Sequence, residues 1–277
     1  MQLEKMIKDF LHASLYEDFG IKGDITSDAV IPAAQIADFI ISCREDAVIC
    51  GSRIAEYYFR NYSSIDFETL LQDGQKASAN STIIKGRGRA VEILMLERVI
   101  LNFMQHLSGI ATLTSKYVQE IIGTKAEIYD TRKTLPLLRN LQKYAVICGG
   151  GKNHRLALDS SILIKDNHIK IADSIAEAVS RAEKHKAHYI KIEVECDTLQ
   201  QVEEAIKAGV DIIMLDNMDI AEIKRAVDII DQRAIVEVSG GVRLDNVRDI
   251  AKAGVDVISV GKLTHSAPAI DIGLDII

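Results

Sequence analysis

Apolar residues open the chain at helical spacing: Leu3, Met6, Ile7, Phe10, Leu11 and Leu15 alternate with polar groups, and Gly20 stands where a helix C-cap belongs. This pattern predicts an amphipathic helix over residues 2–18, followed by a turn at Gly23-Asp24-Ile25-Thr26. Short β-type runs follow at Phe39–Ser42, Ala47–Cys50 and Thr82–Lys85, separated by a helical stretch at Ile54–Asn61 and a turn at Asp73-Gly74. From Ala90 to Ile122 the period is helical again, with a break expected at Ser108-Gly109. A domain boundary placed there gives a mixed α+β domain over residues 1–108 and a second domain over residues 109–277.

Beyond Gly123 the pattern changes to β-rich runs of four to seven residues alternating with helix-length amphipathic segments. Six strands are predicted, at Ala126–Asp130, Ile162–Lys165, Tyr189–Glu195, Asp211–Asp216, Ala234–Ser239 and Asp256–Val260. The segment Ala205–Ile213 is echoed by Ala251–Ile258, each reading as a helix end, a glycine cap and the next strand. Gly209 and Gly254 are 45 residues apart, two βα modules of about 22 residues. With no GxGxxG after the first strand, the regularity favours a parallel (β/α) barrel of about six to seven strands over a doubly wound sheet.

The C-terminal ends of these strands are polar almost without exception. Arg132 and Lys133 follow the first, Lys165 ends the second and Glu195 the third; Asp216, Ser239-Gly240-Gly241 and Gly261-Lys262 mark the rest. In barrels that rim carries the active site. Glycines at the last two ends, with Ser239, suit a phosphate held by backbone N–H groups. Glu195 and Asp216 suit ribose hydroxyls or a Mg²⁺ shared with phosphate oxygens, and Glu193, on the same strand face as Glu195, competes with it as the primary carboxylate.

Between Asp130 and Ile169 the chain collects Arg132, Lys133, Arg139, Lys143, Lys152, His154, Arg155, Lys165 and His168 around Gly149-Gly150-Gly151. Arginine forks bind carboxylates bidentately, so this cluster suits a second anion with more than one carboxylate. Arg139 and Lys143, four apart on a helix, read instead as a solvated face. His154 lies in a polar loop, where it either faces the anion or orients Arg155.

The concentration of positive charge is local, because 40 acidic against 33 basic residues leave the 277-residue chain at −7. That balance argues against nucleic acid or an acidic membrane as partner. Four cysteines without CxxC or metal-ligand spacing, a charged N-terminus and the lack of a long apolar run lead to a cytoplasmic expectation.

These residues, in this order, resemble the quinolinate phosphoribosyltransferase family. The likeness is carried by Glu17-Asp18 with Gly23–Thr26, Glu97-Arg98 with Leu101-Asn102, Leu107–Ala111, Thr131–Thr134, the triple glycine with His154-Arg155, Leu163–His168, Glu193–Glu195, Leu215–Asn217 and Ser239–Gly241. It implies an N-terminal α/β sandwich domain and a C-terminal open barrel, with the last residues packing back on the N-terminal domain. It further implies a homodimer in which Arg98 reaches the neighbouring site. By the same resemblance Arg132, Lys133, His154, Arg155 and Lys165 surround the quinolinate carboxylates. Glu195 and Asp216 face the phosphoribosyl group and its Mg²⁺, which is held mainly through pyrophosphate and water, and Ser239, Gly240 and Gly261 hold the 5-phosphate. Lys133, Lys165, Glu195 and Asp216 are the implied catalytic residues. The implied activity is phosphoribosyl transfer from phosphoribosyl pyrophosphate to quinolinate with loss of CO₂, in NAD biosynthesis. Leu137 and Ala157 depart from the family, which commonly has glycine at both, so either would be strained if its φ is positive. Other readings are a molybdenum-transport-associated relative with a different acceptor, a Schiff-base aldolase using Lys165 or Lys191, and a non-catalytic phosphosugar-binding module.

Overall fold

The computed structural model describes residues 2–277, with backbone alone for residues 2–6. In chain order the elements are α1 (Gln2–Phe19), α2 (Ile25–Val30), β1 (Ile36–Cys43), β2 (Ala47–Val48), α3 (Ser52–Tyr62), β3 (Asp66–Thr69), β4 (Lys76–Ala77), β5 (Ser81–Arg89) and α4 (Ala90–Glu120). There follow β6 (Glu127–Tyr129), α5 (Arg139–Cys148), β7 (Ile162–Ile164), α6 (Asp166–Ala172), α7 (Ile175–His185), β8 (Ile192–Cys196), α8 (Leu199–Ala208) and β9 (Ile212–Asp216). The chain ends with α9 (Ile220–Ile230), β10 (Ile235–Ser239), α10 (Val247–Lys252), β11 (Val257–Ser259), α11 (Lys262–His265) and β12 (Ile272–Ile276). Two compact units result, one of Met1–Ser115, Leu135–Gly150 and Ser266–Ile277, the other of Lys116–Thr134 and Gly151–His265.

The first unit is built on an antiparallel sheet in the order β12-β1-β5-β3. Strand β1 alternates as a half-buried strand should: Phe39, Ile41 and Cys43 are buried, and Phe59 of α3 stacks against Phe39 with ring centroids 5.6 Å apart. Three local expectations are corrected here. Gly23–Thr26 is not a free turn, because Asp24 caps α2 and accepts the N–H groups of Thr26 at 3.1 Å and Ser27 at 3.0 Å. Ser108-Gly109 does not break α4, which runs unbroken from Ala90 to Glu120. Its small residues serve close packing: Ser108 Oγ accepts the Cys50 N–H at 2.9 Å, and a Cβ on Gly109 would lie 2.0 Å from the Pro268 carbonyl oxygen. Lys143 is not on a solvated face but 2% exposed within α5. Likewise the first of the three glycines answers to packing, since a Cβ on Gly149 would meet Ala111 O at 2.4 Å on α4.

The second unit is a six-stranded parallel sheet in the order β6-β11-β10-β9-β8-β7, with β6 and β7 at its two ends, an open (β/α) barrel. All six predicted strands are present. Helices α7 to α10 supply the crossovers, and the starts of α7, α8 and α9 carry the caps that exposed helix N–H groups require. Ser174 caps α7, while Thr198 with Gln201 and Asp219 with Glu222 form reciprocal capping boxes on α8 and α9. Gly209, at φ +74°, closes α8 and Gly254, at φ +91°, follows α10, as the internal echo anticipates. Lys152 adds a parallel bridge to Tyr129 beside β6.

Candidate active site

Inward-facing positions of the parallel strands fall on alternate residues, and register fixes which of them share a level. Glu195 of β8 is level with Met214 of β9, which is level with Glu237 of β10; one step higher, Asp216 is level with Ser239. These residues, with Leu163, Lys165 and Ser259, open into a cavity of about 400 Å³ at the C-terminal ends of the strands. Thr131, Arg132, Lys133, His154 and Arg155 complete its wall. Eight of the eleven predicted site residues therefore line one pocket, while Arg98, Gly240 and Gly261 are not among its lining residues.

One side of the pocket is cationic. Arg132 and Lys133 come from the loop after β6, where Lys133 N–H donates to Thr131 Oγ1 at 3.0 Å and Lys133 O accepts the Thr264 hydroxyl at 2.8 Å. Arg155 donates through Nη1 to Ser161 O at 2.9 Å. Burial lowers its pKa, and the Arg132 charge adds to that effect, so the two guanidiniums repel one another. Arg132 Nε is buried and has no hydrogen-bond partner among the described residues. An anion with two carboxylates relieves the repulsion and satisfies the open donor.

The other side is anionic, and Gly240-Gly241 and Gly261 follow the ends of β10 and β11 beside it. Burial raises the Asp216 pKa, and the Glu195 and Asp197 charges raise it further. Its Oδ2 accepts Asn217 Nδ2–H at 2.7 Å. Lys165 Nζ forms an ion pair with Glu195 and so links the two sides. Gly240 and Gly241 stand at φ +79° and +63°, where glycine alone is unstrained, and a Cβ on Gly240 would meet Asn217 Oδ1 at 2.2 Å. At Gly261 a Cβ would come within 3.0 Å of Lys133 Cδ and 3.3 Å of His265 Nε2. Consecutive left-handed glycines leave room for an anion to approach backbone N–H groups.

His154 lies under this rim. Burial opposes a charge on it, but hydrogen bonding to Glu193 and Glu237 outweighs burial and favours a second ring proton, with a pKa of about 10. Against that, the Arg155 N–H points at Nδ1 from 2.8 Å and needs a lone pair there. A donor facing a donor at that distance is repulsive, so the hydrogen-bond geometry decides for a single proton on Nε2. Burial raises the Glu193 pKa, while its hydrogen bond with His154 acts in the opposite direction.

Several members of the cationic stretch have other work. Lys152 pairs with Glu127 at 2.5 Å, and His168 Nδ1 accepts the Lys165 N–H at 2.9 Å. Arg98 is not among the pocket residues; it lies on α4, 3.5 Å from Glu97 Oε1. Leu137 has φ +64°, whereas Ala157 is not among the positive-φ residues, so the anticipated backbone strain is confined to the first. Glu237, Ser259, Met214 and Leu163 line the pocket without having been singled out from sequence. Glu237 had a usable signal, lying two residues before Ser239 in a run of valines and so on the same strand face.

The sequence signature of the quinolinate phosphoribosyl transferase N-terminal domain matches residues 24–108, and that of the C-terminal domain matches residues 110–275. A probable nicotinate-nucleotide pyrophosphorylase [carboxylating] of Methanocaldococcus jannaschii is 44% identical, covering 98% of this chain and 99% of that protein. The nicotinate-nucleotide pyrophosphorylase [carboxylating] of Mycobacterium leprae is 40% identical, covering 97% and 96%. Among solved structures, nicotinate-nucleotide pyrophosphorylase from Ehrlichia chaffeensis superposes with a TM-score of 0.94 at 46% identity, covering 98% of each chain. Domain signatures, near-full-length identity and a shared architecture agree: this chain belongs to the quinolinate phosphoribosyl transferase family.

Proposed function

We propose that this chain transfers the phosphoribosyl group of phosphoribosyl pyrophosphate to the ring nitrogen of quinolinate. The products are nicotinate mononucleotide, pyrophosphate and CO₂, in the de novo route to NAD. The observation that carries this reading is the pairing, in one cavity, of a cationic wall, in which Arg132 Nε has no hydrogen-bond partner among the described residues, with the carboxylates Glu195 and Asp216. A monoanion would leave half of that charge unanswered.

Arg132, Arg155, Lys133 and Lys165 take the two pyridine carboxylates, while Ser239, Gly240 and Gly261 take the 5-phosphate. Glu195 and Asp216 face the ribose hydroxyls. Their adjacent positions and the raised Asp216 pKa fit a divalent cation, whose charge would relieve the local repulsion. Mg²⁺, when bound there with pyrophosphate oxygens and water, would supply charge neutralisation at the leaving group. The protein's own part is to hold the ring nitrogen opposite the anomeric carbon, so that positioning and preorganised charge lower the barrier without a covalent nucleophile. As the C1–pyrophosphate bond breaks, positive charge develops on the sugar beside Glu195 and Asp216. Transfer leaves the ring nitrogen positive, which stabilises the electron pair left on C2 when its carboxylate departs as CO₂; a solvent-derived proton then completes the ring.

Arg98, which is not among the pocket residues, is assigned to the site of a second copy in a homodimer. Among the described residues no helix is long and apolar enough to cross a membrane, and the negative net charge leaves nucleic acid without a surface. With the free cysteines, these features support a cytoplasmic enzyme. A panel of pyridine mono- and dicarboxylates offered with phosphoribosyl pyrophosphate tests the reading. Turnover confined to the 2,3-dicarboxylate is the expected result, and preference for another acceptor would assign the chain to a different branch of the fold. Borohydride trapping of a substrate adduct on Lys165 or Lys191 would replace transfer by Schiff-base chemistry.

A further inference from the structure

Glu193 and Glu237 sit on the inward faces of β8 and β10, and the transfer chemistry makes no direct use of them. Their side chains are 2% and 3% exposed, and Glu193 Oε1 has no hydrogen-bond partner among the described residues. Burying carboxylates costs several kcal/mol each even after relaxation, and apolar residues of similar size would fill both positions without that cost. Their placement therefore calls for a directional role.

The hydrogen bonds supply one. Ser259 Oγ donates to Glu237 Oε1 at 2.5 Å; His154 Nε2 faces Glu237 Oε1 at 3.4 Å and Glu193 Oε2 at 3.3 Å. Across the ring Nδ1 accepts the Arg155 N–H at 2.8 Å, and the His154 N–H donates to Asp130 Oδ1 at 2.9 Å. These links run without interruption from β11 and β10 to the main chain of Arg155. The same three side chains bring ligand-type atoms within 4.8 Å of one another, the spacing of a metal site. A metal would need a lone pair on Nε2 and a proton on Nδ1, yet the Arg155 N–H requires the reverse, so the cluster is a hydrogen-bond network rather than a metal centre.

We infer that Glu193 and Glu237, braced by Ser259, are positioning residues: they fix the His154 ring, and through it the Arg155 main chain, so that the guanidinium meets the substrate dicarboxylate in one orientation. This inference rests on the reading of the cationic wall as the quinolinate site. It makes His154 a strut for Arg155 and not itself a donor to the substrate, since both ring nitrogens face protein atoms.

Two measurements test it together. In wild-type protein labelled with ¹⁵N-histidine, with His154→Gln used for assignment, the His154 ring at neutral pH should carry its proton on Nε2 and none on Nδ1. Calorimetric binding of quinolinate should weaken on the order of tenfold or more in Glu237→Leu, the scale of a lost buried hydrogen bond to a charged group. Binding of phosphoribosyl pyrophosphate to the same variant should stay within about twofold, and Glu237→Gln, whose amide oxygen still accepts, should recover most of the quinolinate affinity. A protonated Nδ1 overturns the inference, as does a folded Glu237→Leu protein that binds quinolinate normally or loses both substrates equally. Failure of the wild-type protein to bind quinolinate at all counts against the proposed function instead, and the ring spectrum, which needs no substrate, still decides whether the network holds.

Discussion

On the proposed reading, the two walls of the pocket recognise anions by different means. The cationic wall uses long side chains, Arg132, Lys133, Arg155 and Lys165, contributed by the loops after β6 and around β7. The opposite wall carries the short carboxylates Glu195 and Asp216 at strand ends, and is proposed to use the main chain at Gly240, Gly241 and Gly261 beside them. Guanidinium forks match the planar geometry of fixed carboxylates, whereas backbone N–H groups suit a rounded phosphate and leave carboxylates free for hydroxyls. Side-chain recognition should then fail by loss of charge, and main-chain recognition by loss of space.

The largest expected effect breaks the cationic wall. Arg132→Ala removes a fork whose Nε has no other partner and should lower kcat/KM on the order of 100-fold or more, mainly through the KM for quinolinate. Near-normal steady-state rates in that variant would remove Arg132 from the site. Next comes the opposite wall: Gly240→Ala places a Cβ 2.2 Å from Asn217 Oδ1 at φ +79°. Strain of about 1–3 kcal/mol should appear as weaker phosphoribosyl pyrophosphate binding with quinolinate binding retained. Equal loss of both ligands would show that the walls are not separable.

Two smaller effects concern residues that act on the fold and not on the pocket, one family-like and one a departure from the family. Asp24 caps α2, and hydrogen bonds from Ser27 hold its pKa below the usual carboxylate value. A depressed folded pKa contributes stability above the unfolded value of 3.8, and that stability is lost as pH falls through the folded pKa. Asp24→Ala should therefore cost about 1 kcal/mol at neutral pH, with the gap from wild type closing below pH 3.8 in denaturant titrations. A gap that persists in acid would deny the cap its charge. Leu137, 83% exposed at φ +64°, carries about 1–2 kcal/mol of left-handed strain, part of which glycine would return to unfolded-state entropy. Leu137→Gly should raise stability by about 0.5–1 kcal/mol. Lower stability would mean that its side chain has a packing role.

The contrast also explains what the sequence could reveal. Strand ends were legible because period 2 and parallel βα succession place Lys165, Glu195, Asp216 and Ser239 on one face whatever surrounds them. The same rule, applied two residues before Ser239, includes Glu237 as well. Helix α4 was less legible, since a glycine that breaks a helix and one that admits a neighbouring backbone look alike until the Pro268 carbonyl is seen beside Gly109. Lys143 was misplaced for a similar reason: helical spacing predicts which residues share a face, not whether that face is covered. Arg98 carries no local signal beyond a salt bridge with a nearby Glu, and its contact with Glu97 is present.

The account is tested most directly by quinolinate labelled in its 2-carboxylate and offered with phosphoribosyl pyrophosphate and Mg²⁺. Labelled CO₂, pyrophosphate and nicotinate mononucleotide should appear in equal amounts. Release of pyrophosphate without labelled CO₂, or a nucleotide that retains the label, would contradict a pocket built to join a dicarboxylate to a phosphoribosyl group and remove one carboxylate.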